Sequence, residues 1–163
     1  MNVPIILATG REGRQSKKVA DLVFERGNFT EIIDVRDWAK PVTNRYPKDQ
    51  EDLRKKFDDA DGFVIVSPEY NSGYPGELKI LLDTFLDEYE GKPVAIVGVS
   101  AGIFGGIRMI EKLKPVLLNI GMIPIRTTVN FKNINQVFEN GELQEEKYNR
   151  LIDDLIKDLK EKL

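Results

Sequence analysis

Short apolar runs alternate with helical patterns along this chain, and that alternation restricts its fold more than any other feature. The apolar runs predict five strands, at residues 3–7, 31–35, 62–67, within 92–99 and 123–129. Strands that alternate with helices pair in parallel and are joined by right-handed crossovers. We therefore predict an α/β fold with a five-stranded parallel sheet, built as a single domain over residues 1–163.

Helical periodicity predicts the elements that connect these strands. Helices are expected at residues 16–26, 49–59, 77–89, about 106–120 and 143–163. Ser16 is a candidate N-cap of the first helix, and Gly27 and Gly121 are candidate stop residues. The last helix is amphipathic, with an expected inner stripe of Leu151, Ile152, Leu155, Ile156 and Leu159. Residues 38–47 and 131–141 are expected to be irregular.

The composition excludes several kinds of site. The 163-residue chain contains no cysteine and no histidine, which excludes thiol chemistry, disulfides, a Ser-His-Asp triad and most zinc or iron sites. No metal site is therefore expected, and any redox chemistry must take place on a bound cofactor.

Charge and hydropathy restrict the partners in the same way. The net charge of −3 gives no basic excess for binding nucleic acid. No apolar run approaches the roughly 18 residues of a membrane-spanning helix, and residues 1–4 lack the features of a signal peptide. We expect a soluble, cytoplasmic protein with neither a membrane nor a nucleic-acid partner.

The loop after the first strand has the composition of an anion site. It reads Ala8-Thr9-Gly10-Arg11-Glu12-Gly13-Arg14-Gln15-Ser16-Lys17 and leads from a buried strand into a helix. A helix N-terminus presents free N–H groups and a positive dipole end. Thr9 and Ser16 add hydroxyl groups, while two arginines add charge and geometry suited to phosphate. The Walker A and G-x-G-x-x-G spacings are absent, and a solvated loop whose arginines pair with surface carboxylates remains an open alternative.

Two further loops follow predicted strands and should lie at the same edge of the sheet. Residues 68–79 offer backbone amides, the Asn71 amide and the rings of Tyr70 and Tyr74, which suit a planar heterocycle. Residues 100–106 are rich in glycine and permit close approach of a ligand. Each loop also has a plainer interpretation, because the tyrosines could cap the core and the glycines could serve loop flexibility alone.

Together, the three loops resemble those of the NAD(P)H-dependent FMN reductase family. The first loop of that family typically reads Gly-Ser-x-Arg-x-x-x-x-Ser, but here Ala8 replaces the glycine and Thr9 the serine. The second typically reads Pro-Glu-Tyr-Asn-x-x-x-Pro-Gly-x-Leu-Lys, and every fixed position is present from Pro68 to Lys79. The third is a Ser/Gly-rich turn before a helix, like residues 100–106. The resemblance extends from the first strand to about Gly121.

The resemblance implies a flavodoxin-like three-layer sandwich that binds FMN. The residues implied at the FMN phosphate are Thr9, Arg11, Arg14, Ser16 and the amide of Lys17. Those implied along the isoalloxazine ring are Pro68, Glu69, Tyr70, Asn71, Ser72 and Gly73, with Tyr70 and Asn71 orienting the ring. Those implied at its pyrimidine side are Ser100, Gly102 and Gly105.

The resemblance also implies an oxidoreductase without a catalytic side chain. Hydride would pass from NADH or NADPH to bound FMN, and then to free flavin, a quinone or a similar small acceptor. Since the three loops are expected to enclose only one planar site, both substrates should stack there in turn, in ping-pong order. Because family members commonly form dimers or tetramers, a homodimer or homotetramer is expected.

Two other functions stay open at this point. A flavodoxin-type electron carrier is the main alternative, although flavodoxins typically have an arginine-free phosphate loop and a strongly acidic surface. Arg11, Arg14 and the net charge of −3 argue against it. A flavin-free nucleotide-binding domain is the other alternative. The acceptor (free flavin, quinone, azo dye or metal oxyanion) and the choice between NADH and NADPH are not indicated by the sequence.

Overall fold

A five-stranded parallel sheet forms the centre of the fold. The computed structural model describes residues 1–38, 50–139 and 142–163. The strands are β1 (Ile5–Leu7), β2 (Ile32–Asp34), β3 (Phe63–Pro68), β4 (Pro93–Val99) and β5 (Ile123–Phe131), in the order β2-β1-β3-β4-β5. The chain adds β2 on one side of β1 and then β3, β4 and β5 on the other side, so β1 and β3 flank the topological switch point, where such sheets bind ligands.

Helices cover both faces of this sheet. Helices α1 (Gln15–Gly27) and α7 (Lys147–Lys160) pack on one face. On the other face lie α3 (Glu51–Asp58), α4 (Gly76–Thr84) and α5 (Ile107–Asn119). A single helical turn, α2 (Val35–Trp38), directly follows β2. The predicted flavodoxin-like three-layer sandwich is confirmed. None of the described helices is long and apolar enough to cross a lipid bilayer.

Successive side chains of each strand contribute to two separate cores, because the side chains of a strand point alternately to its two faces. Leu7 and Val66 belong to the core under α1 and α7, whereas Ile6 and Ile65 belong to the other core. The second core contains an aromatic cluster in which Phe57 lies edge-on to Phe63 and Phe85, at centroid distances of 5.4 and 5.7 Å. Both cores fix the strand ends, and therefore the loops that follow them.

Helix α1 differs from its prediction at both ends. It begins at Gln15 after Arg14 as the N-cap, so Ser16 lies inside the first turn and its predicted capping role is wrong. Gly27 is the last helical residue, and the left-handed residue is Asn28, with a φ of 53°. Gly27 serves packing instead, since a Cβ there would clash with the ring of Phe29. Gly121, with a φ of 86°, follows the end of α5 as predicted.

Two other predicted helices are shorter in the structure. Helix α4 ends at Thr84 because Phe85 is extended, and a short 3-10 turn follows at Asp87–Tyr89. This break places the rings of Phe85 and Tyr89 in the aromatic cluster, where both are fully buried. Helix α7 begins at Lys147, and the predicted burial of Leu151 is wrong, because 40% of that residue is exposed. Tyr148 begins the buried stripe instead and stacks on Phe131 at 4.1 Å.

The prediction of irregular structure after β5 is also wrong for the residues described. Buried Ile134 and Val137 anchor a short helix, α6 (Ile134–Val137). An antiparallel pair follows, formed by β6 (Phe138–Glu139) and β7 (Glu142–Leu143). Most of the predicted loop at residues 38–47 lies outside the described residues.

Candidate functional site

The loops that follow β1, β3 and β4 meet at one edge of the sheet and enclose a cleft. Its walls are formed by Arg14, Gln15, Ser16, Pro68, Glu69, Tyr70, Val99, Ser100, Ala101, Ile134 and Asn135. Six of these were expected from the sequence, namely Arg14, Ser16, Pro68, Glu69, Tyr70 and Ser100. Because the carboxyl ends of parallel strands share one edge, loops far apart in sequence form a single site there.

The remaining wall residues were missed by the sequence analysis. Gln15, Val99 and Ala101 are chain neighbours of predicted residues, and that adjacency was the available signal. Ile134 and Asn135 belong to α6, which was not predicted, so the sequence carried no signal for them. The predicted residues that lie outside the cleft wall are Thr9, Arg11, Lys17, Asn71, Ser72, Gly73, Gly102 and Gly105.

Ser16 presents an unpaired hydroxyl group at the N-terminus of α1. The residue is 1% exposed, and its Oγ has no hydrogen-bond partner. Arg14, the N-cap, makes no side-chain capping bond either. The first turn of α1 therefore combines a buried hydroxyl with free backbone N–H groups and the positive end of the helix dipole. The Lys17 amide donates to Arg14 O at 3.3 Å, while its side chain binds Asp21 on the exposed face.

Thr9 and Tyr70 connect the first loop to the second. Thr9 is fully buried, and its Oγ1 is hydrogen-bonded to the Tyr70 hydroxyl at 3.0 Å. Thr9 Oγ1 also accepts a bond from the Arg11 N–H at 3.4 Å. Thr9 therefore supports the loop in this arrangement, and its hydroxyl already has partners.

Arg14 is paired with Asp34 at the end of β2. One bond joins Nη1 to Oδ1 at 3.1 Å, and a second joins Nη2 to Oδ2. The side chains are 8% and 19% exposed, respectively. The alternative interpretation of the first loop, in which its arginines pair with carboxylates, therefore holds for Arg14, although this carboxylate is largely shielded from solvent.

The second loop begins with a tight turn. Tyr70 and Gly73 exchange two backbone hydrogen bonds of 2.9 Å, and the central residues Asn71 and Ser72 have φ values of 51° and 62°. Positive φ at both central residues is typical of a type I′ turn, and it is uncommon for a serine. Backbone strain of this kind clusters at active sites and ligand-binding sites, where the surrounding structure maintains it. The turn fixes the backbone beside the cleft.

Glu69 lies in the cleft wall with an incomplete set of partners. Its side chain is 5% exposed, and its Oε1 accepts a bond from Arg108 Nε at 2.7 Å. The other oxygen, Oε2, has no hydrogen-bond partner. Arg108 in turn lies 5.5 Å from the centroid of the exposed Phe104 ring. Like Ser16 Oγ, this oxygen is a buried polar atom without a partner, and a polar ligand could supply the missing hydrogen bond.

The third loop is shaped by close packing of its own backbone. Ser100 Oγ accepts a bond from the Gly102 N–H at 3.0 Å. Gly105 has a φ of 59°, and a Cβ there would lie 2.9 Å from Asn130. Gly105 is thus required by packing against β5, whereas Ser100 and Ala101 line the cleft.

A family model described as NADPH-dependent FMN reductase matches residues 1–136. The chain belongs to this family. The matched region includes all five strands and the three loops that form the cleft. The family predicted from the loop sequences is therefore confirmed.

Proteins that are similar in sequence to this FMN reductase family member are named as reductases. An NAD(P)H-dependent FMN reductase of Schizosaccharomyces pombe is 36% identical over 128 residues, which cover 69% of this chain and 63% of the relative. A quinone reductase of Escherichia coli is 33% identical over 115 residues, which cover 67% of this chain and 61% of the relative. The chain thus spans less than two-thirds of the length of either relative.

A solved structure shows the same fold. The flavoenzyme NAD(P)H:(acceptor) oxidoreductase FerB from Paracoccus denitrificans matches with a TM-score of 0.84 at 20% identity. The match covers 98% of this chain and 97% of that chain. The flavodoxin-like arrangement is therefore shared over almost the whole of both chains.

The cleft of this family member fits the cofactor named in the family description. The unpaired Ser16 hydroxyl and the free N–H groups of the first turn are suited to an anionic phosphate. The turn at Tyr70 is closed by two backbone hydrogen bonds, and Pro68 and Ser100 line the cleft beside it.

Proposed function

We propose that this chain is an FMN-dependent NAD(P)H oxidoreductase that reduces a small-molecule acceptor such as free flavin or a quinone. The observation that carries this proposal is the buried, unpaired hydroxyl of Ser16 at the N-terminus of α1. Leaving a buried hydroxyl unpaired costs about 1–3 kcal/mol, and a phosphate oxygen at this position would accept a hydrogen bond from it. The family match and the names of the relatives support the same conclusion.

In this proposal, the first loop and α1 bind the FMN phosphate. Ser16 Oγ and the backbone amides of the first turn donate to it, with the Lys17 amide nearby. Arg14 lies in the cleft wall, where its guanidinium group is paired with Asp34 and donates to Thr9 O, so its role at the phosphate is to support the loop. Arg11 is exposed in the present arrangement, and its long side chain contributes a charge-assisted contact when phosphate is bound.

The second and third loops orient the ring. Pro68, Glu69 and Tyr70 line one edge of it from the cleft wall, mainly through backbone groups, and the turn at residues 71–73 adjoins them. Ser100 lies in the wall at the pyrimidine side, and Gly102 and Gly105 belong to the same loop outside the wall. Because Tyr70 and Asn71 occupy a turn with two backbone hydrogen bonds, the groups they present are held in place before binding. The role of these residues is positional, which is a large part of what a cofactor enzyme contributes.

When bound, FMN supplies the hydride chemistry that the side chains of this chain lack. Because the three loops form a single cleft among the described residues, nicotinamide and acceptor bind there in turn in this proposal. That arrangement gives ping-pong kinetics.

A two-fold assembly would complete the site. Three apolar residues beside the cleft are strongly exposed: Ile103 by 65%, Phe104 by 54% and Ile107 by 46%. Such a patch next to a ligand cleft suits a second copy of the chain in an isologous dimer. We also propose a cytoplasmic location, where NADH and NADPH are supplied.

The experiment that tests this function combines spectroscopy with kinetics. FMN and FAD are titrated separately into the purified protein, and bound flavin is followed by absorbance and fluorescence. We expect one FMN per chain, bleaching of its absorbance by anaerobic NADH or NADPH, and parallel double-reciprocal lines with a quinone acceptor. No flavin binding would contradict the proposal. Bound FMN that neither nicotinamide bleaches would indicate an electron carrier, and intersecting lines would indicate a separate acceptor site.

A further inference from the structure

Three consecutive carbonyl groups of the first loop are bound by arginine side chains. Thr9 O accepts a bond from Arg14 Nη1. Gly10 O accepts bonds from Arg36 Nε and Nη2 at 3.1 and 2.9 Å, and Arg11 O accepts one from Arg36 Nη2 at 3.1 Å. Arg36 therefore holds two neighbouring peptide groups with one planar guanidinium group.

The N–H groups of the same loop are in the opposite situation. Those of Gly10, Glu12 and Gly13 donate to no other described residue. The carbonyl groups of Thr9, Gly10 and Arg11 are thus occupied, while the N–H groups of Gly10, Glu12 and Gly13 are free of any described acceptor. That division of groups is what an anion site requires, because carbonyl oxygens facing the ligand would repel a phosphate and N–H groups attract it.

Asp34, the last residue of β2, holds both arginines. Its carboxylate pairs with the Arg14 guanidinium through both oxygens, and its Oδ1 also accepts the Arg36 N–H at 3.0 Å. The latter bond caps the start of α2 and fixes the backbone from which the Arg36 side chain extends. The Asp34 carboxylate is therefore linked, through Arg14 and Arg36, to all three carbonyl groups of the first loop.

We infer that Asp34 and Arg36 are positioning residues that pre-organise the first loop for the FMN phosphate, although neither lines the cleft. Ordering the loop in the free protein reduces the entropy that would otherwise be lost on binding. The inference rests on the proposed function, because it takes the phosphate to bind at the N-terminus of α1.

The planar shape of arginine allows positioning to be separated from simple attraction between charges. A lysine at position 36 keeps the positive charge, but an ammonium group on a flexible stem does not reproduce the fork that holds two carbonyl groups. If Arg36 acts by long-range attraction, lysine will replace it. If Arg36 acts by positioning, lysine will not.

The test compares Arg36→Gln and Arg36→Lys with the wild-type protein and with Arg26→Gln. Arg26 is a matched control, because it pairs with Asp153 at the far end of α1 and its loss removes the same charge. Two quantities are measured: the FMN dissociation constant, by fluorescence titration, and the backbone order parameters of residues 9–16 in the FMN-free protein, by NMR relaxation. Urea unfolding of each variant verifies that it is folded.

We expect both Arg36 variants to bind FMN about threefold to tenfold more weakly and to have lower backbone order parameters at residues 9–16. Arg26→Gln should leave both quantities unchanged, and Asp34→Asn should lower the order parameters of the same segment. Full recovery of FMN affinity by Arg36→Lys, or unchanged order parameters in Arg36→Gln, would overturn the positioning role. The relaxation measurement needs no flavin, so wild-type protein that fails to bind FMN would contradict the proposed function separately.

Discussion

The guanidinium group of Arg11 lies over the ring of Tyr70, with 3.8 Å between Arg11 Cζ and the ring centroid. The hydroxyl of the same tyrosine is bonded to Thr9 Oγ1. Tyr70 is therefore held at its ring face and at its hydroxyl by two residues of the first loop. This contact joins the loop expected to bind phosphate to the loop expected to bind the ring.

The first prediction concerns the part that Arg11 plays in FMN binding. Arg11→Ala should weaken FMN binding by about 1.5–3 kcal/mol, or about 10- to 150-fold, if the guanidinium contributes a charge-assisted contact to phosphate. Fluorescence titration measures the effect, with Lys18→Ala as a control that removes a charge from the exposed face of α1. Unchanged affinity in Arg11→Ala would show that the arginine serves only its contact with Tyr70.

Local sequence patterns were sufficient to predict the strands and the main loops of the site. The segment from Pro68 to Lys79 and the start of the first helix near Ser16 could both be predicted from residues adjacent in the sequence. Their place at the edge of the sheet then follows from the parallel fold. The order of the strands did not follow from the pattern, because it depends on which strands pair across long crossovers.

The parts that sequence analysis missed depend on contacts between distant segments. Arg14 was expected at phosphate, but its pairing with Asp34 requires β2 to lie beside β1. Asn135 reaches the cleft only because β5 extends to Phe131 and a helical turn follows. Likewise, α4 ends early because Phe85 enters an aromatic cluster supplied by other elements. Helical periodicity alone contains none of this information.

The second prediction concerns assembly. Phe104→Glu places a charge in the exposed apolar patch beside the cleft and should convert a dimer into a monomer, because burying an unpaired carboxylate is costly. Leu118→Glu is the matched control, since Leu118 is 62% exposed near the other end of α5. Light scattering at micromolar concentration measures both. A wild-type monomer, or an unchanged dimer in Phe104→Glu, would contradict the proposed interface.

The third prediction concerns pH and the edge of the sheet. Asp158 on α7 accepts a bond from the Thr127 N–H of the edge strand β5 at 2.9 Å. Hydrogen bonds from the Thr127 side chain and backbone lower the pKa of this carboxyl group. Because the pKa is lowered in the folded state, the ionised carboxylate stabilises the fold at pH values above the ordinary pKa of about 3.9. This contribution to stability is lost as the pH falls through the lowered pKa.

Asp158→Ala should therefore reduce the free energy of unfolding at pH 7 by about 1 kcal/mol or less, because solvent weakens the interaction. The difference from the wild-type protein should shrink as the pH falls below about 4. Urea unfolding at a series of pH values tests this, with the exposed Asp154→Ala as the control. A difference that is the same at every pH would indicate lost packing instead of a charge-dependent hydrogen bond.

The last prediction separates the stability of the free protein from its affinity for FMN. Ser16 Oγ is buried without a partner, so the free protein bears the cost of a desolvated hydroxyl, about 1–3 kcal/mol. Ser16→Ala removes that group with almost no change in shape, and alanine is the better helix former. The FMN-free variant should be as stable as the wild-type protein or more stable, as measured by urea unfolding.

FMN binding should change in the opposite direction. The variant lacks a hydroxyl donor at the phosphate, and its FMN dissociation constant should rise about threefold to tenfold. Ser16→Thr keeps the hydroxyl and is the control for its chemistry, and Ser100→Ala tests the serine that the third loop contributes to the cleft wall. A hydroxyl with a purely structural role would give the reverse result, with lower stability and unchanged affinity. Opposite shifts in the two measurements would therefore identify Ser16 as a ligand-binding group whose partner is absent in the free protein.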